Sequence, residues 1–202
     1  KMPRTYEHII PEQVGNRRRI LVSDLAGKSN IIQKAAELGI TIKKGSPELS
    51  EILKKIKQLE NEGYEFEGAE GSLELLMLRA RHSYESVFTM FDRIDYRILT
   101  EKRKVDPHPV SEATVTVEVG GQVEHTAAWG NGPVNALDKA LRKVLPRYFP
   151  GRGLDSVRLL DYKVRVLTAA EGTAARVRVL IESGDGKSKW GTVGVSENVI
   201  EA

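Results

Sequence analysis

The 202-residue sequence contains no cysteine, which excludes disulfides, thiolate nucleophiles and cysteine-bound metals and fits a reducing cytoplasm. No apolar run reaches the length of a membrane span, and the opening Lys1-Met2-Pro3-Arg4 has no hydrophobic signal core, so a soluble protein without a membrane partner is expected. A dominant charge is missing too: 31 Lys and Arg stand against 28 Asp and Glu, a net +3 that reads as a balanced surface. The four histidines, His8, His82, His108 and His125, are scattered, and no pair has a metal-ligand spacing. No G-x-S-x-G elbow, Walker loop or dinucleotide fingerprint occurs, and Gly130-Asn131-Gly132 lacks the later glycine and the lysine those loops need. Read alone, the chain is not a self-sufficient enzyme.

What is present is organised around Gly130-Asn131-Gly132-Pro133-Val134-Asn135, where one periodicity gives way to another. Upstream, residues 114–119 alternate polar and apolar, Gly120-Gly121 makes a two-residue hairpin turn, and residues 122–129 return as a second strand. Downstream, Pro133 sits at a first helical position, where an N–H is not needed. Val134, Leu137, Leu141, Val144, Leu145 and Tyr148 then share one helix face and Asn135, Asp138, Lys139, Arg142 and Lys143 the other, with Pro146 and Pro150-Gly151 expected to close the helix. The plan recurs. Residues 157–167 and 173–183 read as paired strands around Ala169-Ala170-Glu171-Gly172, a third strand follows at 189–195, and Ser196-Glu197-Asn198 resembles a helix start. The chain ends at Ala202, a turn or two into that expected helix, which suggests a trimmed piece of a longer protein.

Before the sheet region, the spacing predicts three short helices. One covers about residues 30–38 and is ended by Gly39; the second starts at Pro47 after Ser46 and runs to Asn61-Glu62-Gly63. The third runs from Glu70 or Ser72 to about Arg81, with Leu73, Leu76, Met77 and Ala80 apolar. Residues 88–100 then alternate as a strand, and a charged, proline-broken connection leads to residue 114. The fold class is therefore α+β: a small helical linker subdomain over 1–84, then a domain over 85–202 built from two pseudo-repeated strand-hairpin-helix units with helices on one face of the sheet.

Arg17-Arg18-Arg19 suggests phosphate contacts, but no aromatic platform accompanies it, and nucleic acid is not expected as a partner. Trp129 and Trp190 each precede a glycine at a strand end, where they cover an interface or cap the core. The helix starts at Pro133 and near Glu197 carry unpaired N–H groups and positive dipole ends suited to a small carboxylate. Val134, Leu159, Val166 and Val177 would accept an aliphatic tail, and Asn135 or Glu197 would meet an ammonium group, which describes an amino-acid pocket. Tyr162 either lines such a cavity or fills a sheet face.

These residues also carry a family resemblance over nearly the whole chain. The opening Thr5-Tyr6-Glu7-His8-Ile9-Ile10-Pro11-Glu12-Gln13-Val14-Gly15-Asn16 and Leu21-Val22-Ser23-Asp24-Leu25-Ala26-Gly27-Lys28-Ser29-Asn30 resemble the linker that follows the catalytic barrel in the citramalate synthase and 2-isopropylmalate synthase family, more the citramalate type. Gly130-x-Gly132-Pro133-Val134-Asn135-Ala136, Leu160-x-Tyr162-x-Val164 and Gly194-Val195-Ser196-Glu197-Asn198 resemble that family's regulatory domain. The resemblance implies a parent acyltransferase that condenses acetyl-CoA with pyruvate or another 2-oxo acid. Its divalent metal and acetyl-CoA belong to a barrel this chain lacks, so no cofactor is expected here. It also implies a homodimer and feedback inhibition by a branched-chain amino acid, isoleucine or alternatively leucine. By motif, Val134, Asn135, Leu159, Tyr162, Val166, Val177 and Glu197 fall at effector-lining positions, with Asn135 standing where the family often has aspartate. Tyr6 matches a linker tyrosine that reaches a neighbouring active site in relatives, or else anchors the linker on the barrel. A purely structural dimerisation module, its pocket filled by side chains, is the rival reading.

Overall fold

The computed structural model describes residue 13 and residues 28–81, 90–105 and 107–202. Tyr6, His8, Arg17-Arg18-Arg19, His82 and the expected boundary between residues 84 and 85 lie outside them. Among the described residues the order is α1 (Lys28–Glu37), α2 (Pro47–Asn61), α3 (Glu70–Arg81), β1 (Asp92–Glu101), β2 (Val110–Val119), β3 (Gln122–Gly130), α4 (Pro133–Tyr148), β4 (Arg158–Val166), β5 (Val177–Gly184) and β6 (Lys189–Ser196). The strands form two three-stranded antiparallel sheets, β1-β2-β3 and β4-β5-β6. This is the mixed helical and sheet architecture that the two periodicities predict. No helix of the described residues is long and apolar enough to cross a membrane.

Local chemistry explains the helical part. Ser46 Oγ accepts the Leu49 amide at 3.3 Å and Pro47 fills the first position of α2, so the helix start is capped from both sequence signals. Leu49, Ile52 and Ile56 then point inward at i, i+3 and i+7 and meet Ile31 and Ala35 of α1 and Leu73 and Met77 of α3 in one core. Each fully buried aliphatic side chain of this kind contributes about 1.5–3 kcal/mol.

The first sheet shows the predicted hairpin. Gly120 and Gly121 both have positive φ, 58° and 79°, the geometry of a two-residue turn that matches strand twist. β2 turns Ala113, Val115, Val117 and Val119 to one side, and α4 lies across them. The helix seats itself through Ala136, Ala140 and Val144, which are buried, while Leu137, Leu141 and Leu145 flank that line. Small residues at the centre permit close approach: a Cβ on Gly130 would collide with the Ala136 backbone.

Three local expectations are corrected. Pro146 lies inside α4 and does not end it: the Phe149 amide still reaches the Leu145 carbonyl at 3.0 Å, and the last turn is tied to the sheet by Tyr148, whose hydroxyl lies 2.6 Å from Glu124 and 3.0 Å from Gln122. Residues 173–176 are not strand, since Ala169–Ala174 forms 3₁₀ turns; Thr168 Oγ1 accepts the Arg176 amide at 2.9 Å and donates to Glu171 at 2.6 Å. Residues 197–202 form one hydrogen-bonded turn, with the Ala202 amide on the Asn198 carbonyl at 3.0 Å, and no helix. The repeat nonetheless holds in the close contacts. As Gly130 admits Ala136, Gly194 admits the backbone of Ala202, where a Cβ would collide.

Candidate functional site

A groove of about 700 Å³ opens between the start of α4 and the second sheet. Residues 131–135, Asp138 and Arg142 form one wall; Val157, Leu159, Tyr162, Ile181, Ser183 and Thr192 form the other. The sheet wall follows from register. Tyr162 pairs with Ile181, Ile181 with Thr192, and Leu159 with Ser183, so these side chains share one face across β4, β5 and β6.

The helix wall is polar for a local reason. Gly132 is the N-cap with no side-chain cap, Pro133 has no N–H, and Ala136 already bonds the Gly132 carbonyl at 2.9 Å. The amides of Val134 and Asn135 thus have no intrahelical acceptor, and they carry the positive end of a 16-residue helix. Asn135 Oδ1 accepts the Asn131 amide at 3.2 Å, which folds the preceding loop back on the helix.

Every nitrogen of the Arg142 guanidinium makes a hydrogen bond within the protein. Its Nε donates to both carboxylate oxygens of Asp138, at 2.9 and 2.8 Å, and its two terminal nitrogens donate to the Leu154 carbonyl at 2.9 Å and the Val157 carbonyl at 3.0 Å. It therefore ties α4 to the segment that feeds β4 and sets the groove's width. A carboxylate entering the groove would meet amide groups before it met a free cation.

On β4 the chain bulges between Leu159 and Asp161, and the Asp161 side chain accepts the Tyr162 amide at 2.8 Å. Hydrogen bonding from Lys163, and then from that amide, holds the Asp161 carboxyl below the usual carboxylate range.

Of the residues named from the sequence, the fold brings Val134, Asn135, Leu159 and Tyr162 together in this groove. Val166 and Val177 pair with one another at the opposite end of the sheet, and Glu197 follows Ser196, which pairs with Val177. Seven residues of strand separate Leu159 from Val166, about 23 Å. Those three residues do not line the groove. Tyr6 lies outside the described residues. Asp138, Arg142, Ile181, Ser183 and Thr192 are lining residues that sequence reasoning missed. Asp138 and Arg142 carried a signal, their i,i+4 spacing on the polar face of α4, which reads more simply as a solvated pair.

A second cavity, about 460 Å³, lies among α2, α3 and β6, lined by apolar Leu59, Phe66, Leu76 and Val193 and by Lys55 and Arg79. Among the described residues no group of three or more His, Asp or Glu side chains is arranged to hold a metal ion.

Comparison with known proteins bears on both halves of the chain. Residues 67–202 match the LeuA allosteric (dimerisation) domain, and residues 1–64 match the homocitrate synthase post-HMGL domain-like family. The (R)-citramalate synthase of Geobacter sulfurreducens is 58% identical over 200 residues, 99% of this chain and 37% of the relative. That of Aquifex aeolicus is 57% identical over 202 residues, 100% of this chain and again 37% of the relative. The 2-isopropylmalate synthase of Aquifex aeolicus is 30% identical over 199 residues, 98% of this chain and 34% of the relative. The chain thus spans little more than a third of the length of the curated relatives it matches. With a family match covering both sheets and the whole groove, the chain belongs to the LeuA allosteric (dimerisation) domain family, preceded by a homocitrate synthase post-HMGL domain-like segment.

Proposed function

We propose that this chain is the C-terminal regulatory region of an acetyl-CoA:2-oxo acid condensing enzyme of the citramalate synthase type, and that it binds isoleucine as a feedback inhibitor in the groove beside α4. The observation that carries the reading is the groove's polarity. One end offers the uncapped amides of Val134 and Asn135, and the facing wall offers Leu159, Tyr162 and Ile181. A carboxylate at the helix start and an aliphatic tail against the sheet is the arrangement these walls favour. In this reading the parent is an acyltransferase that joins acetyl-CoA to pyruvate, and its divalent metal and acetyl-CoA are held by a catalytic barrel outside this chain. The chain forms a homodimer through the same domain. Residues 1–84 act as linker and residues 85–202 as the regulatory unit, a division that rests on the change from helical to alternating periodicity.

Relatedness to 2-isopropylmalate synthase at 30% identity keeps leucine as the alternative effector. Isoleucine and leucine differ only in the position of one methyl branch, a distinction worth about 1–3 kcal/mol in a fitted pocket. The rival, a structural dimerisation module without effector, draws support from Arg142, the groove's cation, each of whose nitrogens already donates to a protein acceptor.

Calorimetric titration with isoleucine, with leucine as the matched ligand, tests the assignment. Preferential isoleucine binding is expected. A leucine preference moves the parent to the isopropylmalate type, and no heat from either ligand, in a folded dimer, leaves the structural module.

A further inference from the structure

β6 is the edge strand of the second sheet, and its free edge is not open to solvent. Residues 63–72, which lead into α3, run along it. The Val193 amide donates outward to Ser72 Oγ at 2.9 Å. A Cβ on Gly191 would collide with the Gly68 carbonyl, and a Cβ on Gly71 would stand 2.9 Å from the Gly191 carbonyl oxygen and 3.5 Å from the Thr192 methyl. Glu65 pairs with Arg178 on the neighbouring strand β5. Two glycines, Gly71 and Gly191, thus let two backbones lie against each other with no side chain between them, and a serine hydroxyl serves as the acceptor that a further strand would have supplied.

Thr192 has two neighbours that matter. It lines the groove beside α4, and its methyl faces the place a side chain on Gly71, at the start of α3, would occupy. The residue after it, Val193, packs on the core of the helical subdomain. Strand alternation puts consecutive residues of β6 on opposite faces, so one short strand is a wall of the groove and a support of the helices. A small displacement of Thr192 is poorly absorbed at this place, because the backbone of the preceding Gly191 already meets the backbones of Gly68 and Gly71.

We propose that the β6 edge joint is the coupling element between the groove and the helical subdomain, with Thr192 reading groove occupancy and Ser72 and Gly71 passing it to α3. Ser72 and Gly71 act here as positioning residues: they touch no ligand and work through Thr192 and Val193. The ligand arm of the test rests on the effector reading above, and the apo arm does not. Coupling between two sites is reciprocal, so a disturbance at the start of α3 must register in the groove.

Amide hydrogen exchange on the whole chain separates the two. Without ligand, Ser72→Ala and Gly71→Ala are expected to speed exchange severalfold at residues 159–162 and 190–193 as well as in α3, and Ser72→Thr, which keeps the hydroxyl, is expected to restore wild-type rates. Changes confined to α3 would overturn the proposal whatever binds in the groove. With saturating isoleucine, α3 amides in the wild type are expected to slow severalfold. Ser72→Ala is expected to bind within about threefold of wild type by calorimetry and to lose that α3 response. Binding with no α3 response in the wild type, or an undiminished response in Ser72→Ala, would overturn it too; no binding at all counts against the effector reading, and the apo arm still decides the joint.

Discussion

Glu201 accepts a hydrogen bond from the Arg93 guanidinium at 3.1 Å, and so joins the turn after β6 to the first strand of the other sheet, 108 residues earlier. Tyr96 completes the contact. Arg93 stacks over its ring at 4.9 Å, and its hydroxyl hydrogen-bonds the Glu201 carboxylate. The two sheets share no ladder, so this triad and the Arg142 clamp are polar ties between the two repeats.

The triad makes a pH-dependent contribution. The Tyr96 hydroxyl, and then Arg93, hold the Glu201 carboxyl below the usual range, because both favour its charged form. A depressed folded-state value means the stabilisation is present above the ordinary glutamate range and is lost as pH falls through the folded value. The pair is partly exposed, 49% and 37% for the two side chains, so solvent screening limits it to about 0.2–1 kcal/mol. Glu201→Gln is expected to lower urea-unfolding stability by that amount near neutral pH and to match wild type once the pH has fallen below the depressed Glu201 value. Parallel curves at all pH values would remove Glu201 from the account.

Arg142→Lys tests the clamp. A lysine cannot reproduce a fork that reaches Asp138, Leu154 and Val157 together, so the substitution is expected to cost about 1–3 kcal/mol by denaturant unfolding. Groove binding, followed by calorimetry, is expected to weaken more than about tenfold, about 1.4 kcal/mol, because the wall shifts. Unchanged stability and affinity would show that the segment before β4 is positioned without it.

Gly130 and Gly132 bracket the loop that starts α4 and are expected to answer oppositely to alanine. Gly130→Ala drives a methyl into the Ala136 backbone and is expected to destabilise by about 1–3 kcal/mol in thermal unfolding. Gly132 has open space around it and extended backbone at φ −172°, which any residue adopts, so Gly132→Ala is expected to stay within about 0.5 kcal/mol. Equal losses at both positions would refute the close-approach argument.

The groove separates two sets of the residues proposed to contact an effector. Leu159 and Tyr162 are 55% and 37% exposed, so their truncation to alanine is expected to cost little stability and to weaken isoleucine binding about tenfold or more. Val166→Ala, at the far end of β4 and 53% exposed, is expected to leave the affinity unchanged. Calorimetric affinities in the reverse order would move the site to the other end of the sheet.

The elements were legible in the sequence where neighbours a few residues apart decide them. Ser46 and Pro47 start α2, Gly120-Gly121 turns β2 into β3, and Pro133 opens α4, because caps, turns and periodicity are settled within one or two turns of chain. Where a distant contact intervened, the local signal misled. Pro146 reads as a stop, yet the helix runs past it, with its last turn bonded through Tyr148 to Gln122 and Glu124 on the neighbouring strand.

The candidate site divides the same way. Val134, Asn135, Leu159 and Tyr162 were visible as an uncapped helix start and an apolar strand, properties each segment carries by itself. Asp138 and Arg142 read as a solvated i,i+4 pair until the fold turned that helix face to the second sheet. The joining of Val193 to Ser72, and of Gly191 to Gly71, had no trace in the sequence, since about 120 residues lie between them and nothing local records which edge α3 will cover. The sequence by itself determined the repeated units, their turns and their caps through short-range sterics and hydrogen bonding; the tertiary structure alone decided which faces meet, because that depends on burying the apolar surface of all the units at once.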